Sequence, residues 1–304
     1  MQQLLRSLRG SWREFQRRRH LQSELRHVDR QSPILVYQMG KVGSSTVVST
    51  LEQLHLPNPV LHVHTLVGER LSDAEAKQRR SLRPFLDEHL QVSSILLSKL
   101  ANGRFPCHLI TLTREPIARA ISFVFEDWKK KTPGARLENG NLEPAAMKQA
   151  IDLLLREGED HADPGQWFDK ELKRSFDLDV FSAPYDQSRG YTLMRAGDVS
   201  LLIMRMEDLN RSLPAALGDL LGIDSGTIQV SRANEADDKW YAESMNVQKR
   251  TYHLPQETLD RILSSRYMRH FYPNDIERLR ERWEEKPSDA GGAAAIDLHA
   301  SSSS

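Results

Sequence analysis

An α/β domain, a doubly wound parallel sheet flanked by helices, is the architecture this sequence predicts, and three observations predict it. Short apolar, β-rich runs stand at residues 34–37, 59–64 and 108–113, and a longer one stands at 199–206 (VSLLIMRM). The first reads as continuous rather than alternating, as a strand buried on both faces does. A helical pattern follows each of the first three runs, and strand–helix–strand order implies parallel pairing through right-handed crossovers.

Taken in order, residues 1–30 read as a basic amphipathic helix. Leu5, Leu8, Trp12 and Phe15 share one stripe, and eight arginines stand against Glu14, Glu24 and Asp29. Such a helix packs on the domain or a partner, or docks on anionic lipid or a polyanionic glycan. The α/β domain is expected over residues 31–286. Its first strand is entered from Ser32-Pro33 and leaves through a glycine-bearing turn into a helix at 47–54. A helix is expected over 72–100, capped at Ser72. Pro116 suits the first turn of the next helix, through 117–128. Residues 129–145 form a polar loop before a helix at 147–156. A short helix at 167–176 and a short strand at 179–181 follow. Glu207 and Asp208 are expected to cap the turn after the 199–206 strand, and a helix at 213–221 closes on Gly222. Residues 234–283 are rich in charge and aromatics, with 259–263 helical, and the Ala/Gly/Ser-rich residues 287–304 are expected to be a disordered tail.

Composition bounds the function. With 304 residues, 39% hydrophobic and 28% charged, the chain can bury a sizeable core. No run approaches the roughly 18 apolar residues that would cross a membrane. The N-terminus lacks the apolar centre of a secretory signal. A single cysteine, Cys107, excludes an internal disulfide and a cysteine-based metal site, and reads as a buried thiol. A cytoplasmic setting is expected, with peripheral membrane contact through residues 1–30 as the open alternative. Net charge is zero, so no bulk field argues for nucleic acid.

The stretch ILVYQMGKVGSSTVVST, residues 34–50, carries the chemistry. Gly40 and Gly43 let backbone N–H groups converge, and the helix start adds unpaired donors and the positive end of a dipole. Lys41 contributes a mobile charge, Val42 a backbone amide, and Ser44, Ser45 and Thr46 hydroxyls. Magnesium–nucleotide loops instead read G-x-x-x-x-G-K-[ST], with the lysine last. Downstream, REPIARAIS places Arg114 at a strand end and Ser122 two turns into the next helix. A guanidinium fork and a hydroxyl suit phosphate oxygens. His64 ends the second strand and is the candidate general base. His62 lies on the same face, and packing or metal binding by the pair stays open; Glu69 is a third candidate base. No convincing metal cluster is legible. Ligands of such sheets gather at the carboxyl ends of strands, where residues 37–41, His64 and Arg114 all fall.

The order K-x-G-[ST]-[ST] resembles the 5′-phosphosulfate loop of sulfotransferases that use PAPS (3′-phosphoadenosine 5′-phosphosulfate). R-[DE]-P-x-x-R-x-x-S, with Arg119 in the middle, resembles their 3′-phosphate motif. The two stand in the right order, about seventy residues apart. QMGKVGSST, WFDKEL with DVF, LLIMRMEDL, and DDKWYAE with YMRHFY are similar to a bacterial capsular polysaccharide synthesis family, a sulfotransferase-like group, over about residues 33–284. The resemblance implies a P-loop-type, sulfotransferase-like fold, PAPS as donor without a metal, and a carbohydrate hydroxyl as acceptor in capsular or envelope polysaccharide synthesis. It implies that Lys41 neutralises the leaving phosphate and that residues 43–46 hold the 5′-phosphate. Arg114 and Ser122 would take the 3′-phosphate, and His64 would be the base. Gly40 and Val42 depart from the family pattern, and its late basic segment has no clear counterpart, with Lys239, Lys249 and Arg250 as substitutes. A non-catalytic scaffold in polysaccharide assembly and a P-loop kinase are the alternatives.

Overall fold

The computed structural model describes residues 31–80, 88–101, 103, 105–157, 163–231 and 239–285. The expected basic helix at 1–30 and the tail at 287–304 lie outside the described residues. Among the described residues, five strands form one sheet: β1 (Ile34–Tyr37), β2 (Val60–Val63), β3 (Cys107–Thr113), β4 (Tyr191–Ala196) and β5 (Val199–Arg205), in the order β2-β1-β3-β5-β4. β1 pairs in parallel with β2 and β3, and β3 with β5. All four residues of β1 are buried, as its unbroken apolar run requires.

The sheet is mixed rather than purely parallel. β4 runs antiparallel to β5 on the edge, joined by the two-residue turn Gly197-Asp198. Its residues alternate between sheltered and exposed, because an edge strand in YTLMRA covers only one face. Sequence reading finds no strand there for that reason.

Among the described residues, the α-helices of six residues or more are α1 (Ser44–Gln53), α2 (Gly68–Arg80), α3 (Glu88–Ala101), α4 (Pro116–Glu126), α5 (Pro144–Glu157), α6 (Leu209–Leu221), α7 (Ala242–Thr251), α8 (Gln256–Leu263), α9 (Arg266–Phe271) and α10 (Ile276–Trp283). The helix expected over 72–100 is two helices. α2 starts at Gly68, so Ser72 lies inside it, and its hydroxyl donates back to the Gly68 carbonyl (2.9 Å) instead of capping. The strand expected at 179–181 is a turn, in which Asp179 Oδ1 accepts the Phe181 N–H (3.0 Å). Among the described residues, no helix is long and apolar enough to cross a membrane.

Two features position the site. β1 lies between β2 and β3, so the chain leaves β1 to one side and returns across it, opening a crevice at the carboxyl ends of β1 and β3. The second is the WFDKEL segment, whose middle turn, Asp169–Lys173, is π-helical. That turn drives Glu171 fully inside, where it accepts the Tyr37 hydroxyl, the Thr65 hydroxyl (2.8 Å) and the Leu66 N–H (3.0 Å). One buried carboxylate thereby ties the end of β1 to the loop after β2, and the neighbouring Arg70 (3.1 Å) offsets its charge.

Candidate functional site

The turn after β1 is held open by its backbone. Gly43, the residue before α1, sits in the left-handed region (φ 88°), and no side chain caps the helix start. The Thr46 N–H turns back onto the Gly43 carbonyl (3.2 Å), and the amides of Ser44 and Ser45 at the start of α1 remain available to an anion. A Cβ on Gly43 would come within 3.0 Å of Leu209 Cδ1 and 3.1 Å of Met206 Cγ. Gly43→Ala is accordingly expected to cost about 1–3 kcal/mol in urea unfolding, through steric crowding and left-handed strain. A change below a few tenths would mean the loop adjusts freely. Gly40, by contrast, has open space around it.

Lys41 also adopts a left-handed backbone (φ 68°), an uncommon state for a residue with a Cβ. Two guanidinium groups over-determine it. Arg119, buried, donates Nε–H to the Gly40 carbonyl (3.0 Å), and Arg114 donates Nη1–H to the Lys41 carbonyl (2.9 Å). In a trans peptide the N–H opposes the C=O, so these bonds turn the Lys41 and Val42 amides to the other side. The Val42 side chain is fully buried and anchors the loop in the core.

Arg114 is fixed by the late part of the chain. The Tyr267 hydroxyl accepts the Arg114 N–H and donates to the Arg114 carbonyl, both at 2.9 Å. Glu115 caps α4 by accepting from the amides of Ile117 (2.7 Å) and Ala118 (2.8 Å). Glu207 does not cap the turn after β5; it accepts the Glu115 N–H and the Tyr272 hydroxyl, each at 2.9 Å. Asp208 pairs with Arg205 (2.6 Å) and Arg211 (2.8 Å), which leaves its side chain unable to cap α6.

One cavity of about 550 Å³ collects these groups. Gly40, Lys41, Gly43, Ser44, Ser45, Thr46, Arg114 and Ser122 line it, together with His62 and His64. Sequence reasoning missed Glu126, Met206, Leu209, Asn210 and Met245 as lining residues, and Tyr241 lines the cavity as well. Lys239 and Lys249, two of the suggested substitutes for the late basic segment, also face it, while Arg250 does not. Among the described lining residues, Lys41, Arg114, Lys239 and Lys249 thus meet a single carboxylate, Glu126, and the excess of positive charge favours a polyanion. Glu126 lies 3.5 Å from Lys41 Nζ and accepts the Tyr241 hydroxyl (2.6 Å). Burial lowers the Lys41 pKa, with Glu126 acting against it. Glu69 stands outside the cavity, exposed and paired with Arg174 (2.8 Å).

The histidine pair gains a third member. His89 of α3 packs against both, with ring centroids 4.6 Å from His62 and 4.8 Å from His64. His64 Nδ1 lies 2.9 Å from the Gln38 carbonyl. A carbonyl only accepts, so Nδ1 carries the proton and Nε2 the lone pair. Burial, then repulsion from its histidine neighbours, pushes His64 down to about 4 and His62 to about 2, against the usual 6.5. Both are therefore neutral at physiological pH, and His64 is a weaker base than its type suggests. Cys107 is a buried thiol with its pKa pushed up to about 12 by burial, in line with a packing role.

The sign of the pH effect on stability follows. Between pH 6.5 and about 4 the unfolded chain binds a proton at position 64 that the folded chain does not. The stability that neutral His64 contributes is complete above pH 6.5 and is lost as pH falls toward 4. In chelator-treated protein, the Tm advantage of wild type over His64→Gln should shrink by about 2 °C or more from pH 7 to pH 4.5. Scanning calorimetry would disprove this with a constant difference.

No curated protein and no solved structure matches the chain. A family model matches residues 147–273, and its description is "Putative capsular polysaccharide synthesis protein". The matched segment contains Glu171, Glu207, Lys239, Tyr241, Lys249 and Tyr267, and leaves the 40–46 loop outside. Through this segment, less than half of its length, the protein is similar to that family.

Proposed function

We propose that the protein transfers a sulfuryl group from PAPS to a carbohydrate hydroxyl in polysaccharide synthesis. The observation that carries this reading is that Lys41 and Arg114, from two different strand ends, line one cavity with the open start of α1 and are joined through the Lys41 carbonyl. PAPS carries anionic groups at both ends of its ribose, and a cavity with four cations and one carboxylate suits such a ligand. The family description supports the polysaccharide setting.

In this scheme the amides and hydroxyls of residues 43–46 hold the 5′-phosphate, and Arg114 with Ser122 takes the 3′-phosphate. Lys239 and Lys249 add positive charge to the cavity wall. The acceptor oxygen attacks sulfur, and its proton passes to His64 Nε2. The bond from sulfur to the bridging phosphate oxygen breaks, and its electron pair stays on that oxygen beside Lys41. Catalysis is then chiefly positioning and charge stabilisation. The scheme itself needs no metal.

Isothermal titration of the full chain with 3′-phosphoadenosine 5′-phosphate and with AMP tests the donor. The 3′-phosphate should strengthen binding about tenfold or more, through charge-assisted bonds. Equal affinities, or tight binding only of magnesium–ATP, would reject the reading in favour of a kinase-type loop. Donor binding without turnover on a glycan panel would mark a scaffold instead.

A further inference from the structure

We propose that His62, His64 and His89 form a binding site for a divalent transition metal of the zinc class, with one coordination position open to the cavity. The three rings come from β2, its end and α3, and one potential ligand atom from each lies within 4.8 Å of the others. At zinc–nitrogen bonds of about 2.1 Å, ligand nitrogens stand about 3.4 Å apart. Closing the cluster therefore asks for side-chain movements on the order of 1 Å.

The groups behind the rings favour ligation. His64 Nδ1 donates to the Gln38 carbonyl (2.9 Å) and His89 Nδ1 to the His62 carbonyl (3.0 Å). In both rings the backbone fixes the proton on Nδ1 and leaves the Nε2 lone pair for a metal, the arrangement in which outer carbonyls orient metal-binding imidazoles. For His62 the partner is the fully buried side chain of Gln38. Its Nε2 lies 2.9 Å from His62 Nε2, while its Oε1 has no partner. Turning the amide over lets Oε1 accept the His62 Nε2–H and frees the Nδ1 lone pair. Metal binding at His62 thereby satisfies a buried oxygen that is otherwise orphaned.

The donor set selects the ion. Three neutral imidazoles without a carboxylate suit zinc, cobalt, nickel or copper and are poor ligands for magnesium or calcium. His62 and His64 line the cavity, so the fourth position falls on the side where a substrate would lie. Three protein ligands and an open position are the pattern of a zinc ion that acidifies bound water. The site stands whatever nucleotide the loop takes. If PAPS is the donor, the ligated His64 has no lone pair to spare. A metal held by the three imidazoles would supply an acidified water able to take the acceptor proton, and the rest of the transfer would be unchanged.

The test uses the full chain, stripped with chelator and titrated with Zn2+ and with Co2+. One equivalent of zinc should bind, and His89→Ala and His62→Ala should each bind about a hundredfold more weakly or lose the site. Cobalt in the unmutated chain should give the intense visible bands of a four-coordinate site, which His89→Ala removes; this readout stands even if a variant folds poorly. Equal zinc uptake by wild type and variants, which would place the metal on other histidines, overturns the proposal. So does wild type without stoichiometric uptake. Nucleotide binding by stripped protein is scored separately, so failure of the metal site and failure of the donor reading remain distinguishable.

Discussion

Replacing Lys41 by alanine is expected to lower kcat for sulfuryl transfer by about 10²–10³-fold, the usual cost of removing one donor aimed at developing charge. The reason is local. In the proposed transfer, negative charge would grow on the 5′-phosphate as the bond from sulfur to the bridging oxygen breaks, and Lys41 lies in the turn proposed to hold it. Folding should survive the change. Alanine has a Cβ as lysine does, so the left-handed strain at position 41 is unaltered. The lost ion pair is half-exposed, and Glu126 keeps its bond to Tyr241. The measurement is single-turnover transfer from PAPS with the melting temperature followed in parallel. Turnover within threefold of wild type, at unchanged stability, would remove Lys41 from the chemistry.

The second large effect is expected at Arg114. Arg114→Ala should weaken binding of 3′-phosphoadenosine 5′-phosphate by about a hundredfold, the size of a lost charge-assisted pair in a sheltered site. AMP should suffer much less. The contrast separates two roles of one side chain. Arg114 holds the Lys41 carbonyl, which shapes the loop for any nucleotide. The residue also lines the cavity, and in the proposed scheme its remaining N–H donors would serve the 3′-phosphate alone. Arg114→Lys should recover part of the affinity, because it restores charge without the planar fork. Ser122→Ala should cost about tenfold or less, as one neutral hydroxyl is lost. Titration calorimetry with both nucleotides decides. Equal losses for the two would mean that the guanidinium serves the loop alone.

The similarity over residues 147–273 bears on how the site is held. That segment supplies Tyr267, which grips both backbone groups of Arg114, and Glu171, which pins the ends of β1 and β2. It also brings Lys239 and Lys249 to the cavity. The 40–46 loop lies outside the matched segment and is held directly by Arg114 and Arg119; the matched segment reaches it through the grip of Tyr267 on Arg114.

Read alone, the sequence determined the four parallel strands, the turn at 40–46, and the placement of Lys41, His64 and Arg114 at strand ends. Each of these is written in neighbouring residues: an unbroken apolar run, a glycine where a left-handed φ is needed, a proline in a first helical turn. Only the tertiary structure decided the rest. It added β4, whose half-exposed residues carry no strong strand pattern, moved the start of the helix expected over 72–100 back to Gly68, and made it two helices, Gly68–Arg80 and Glu88–Ala101. It set Arg119 on the Gly40 carbonyl, joined Glu126 to Lys41, and brought His89 to His62 and His64. Those partners are distant in the chain and meet through packing against shared core elements. Periodicity reports which face of an element is buried, but not which other element will cover it.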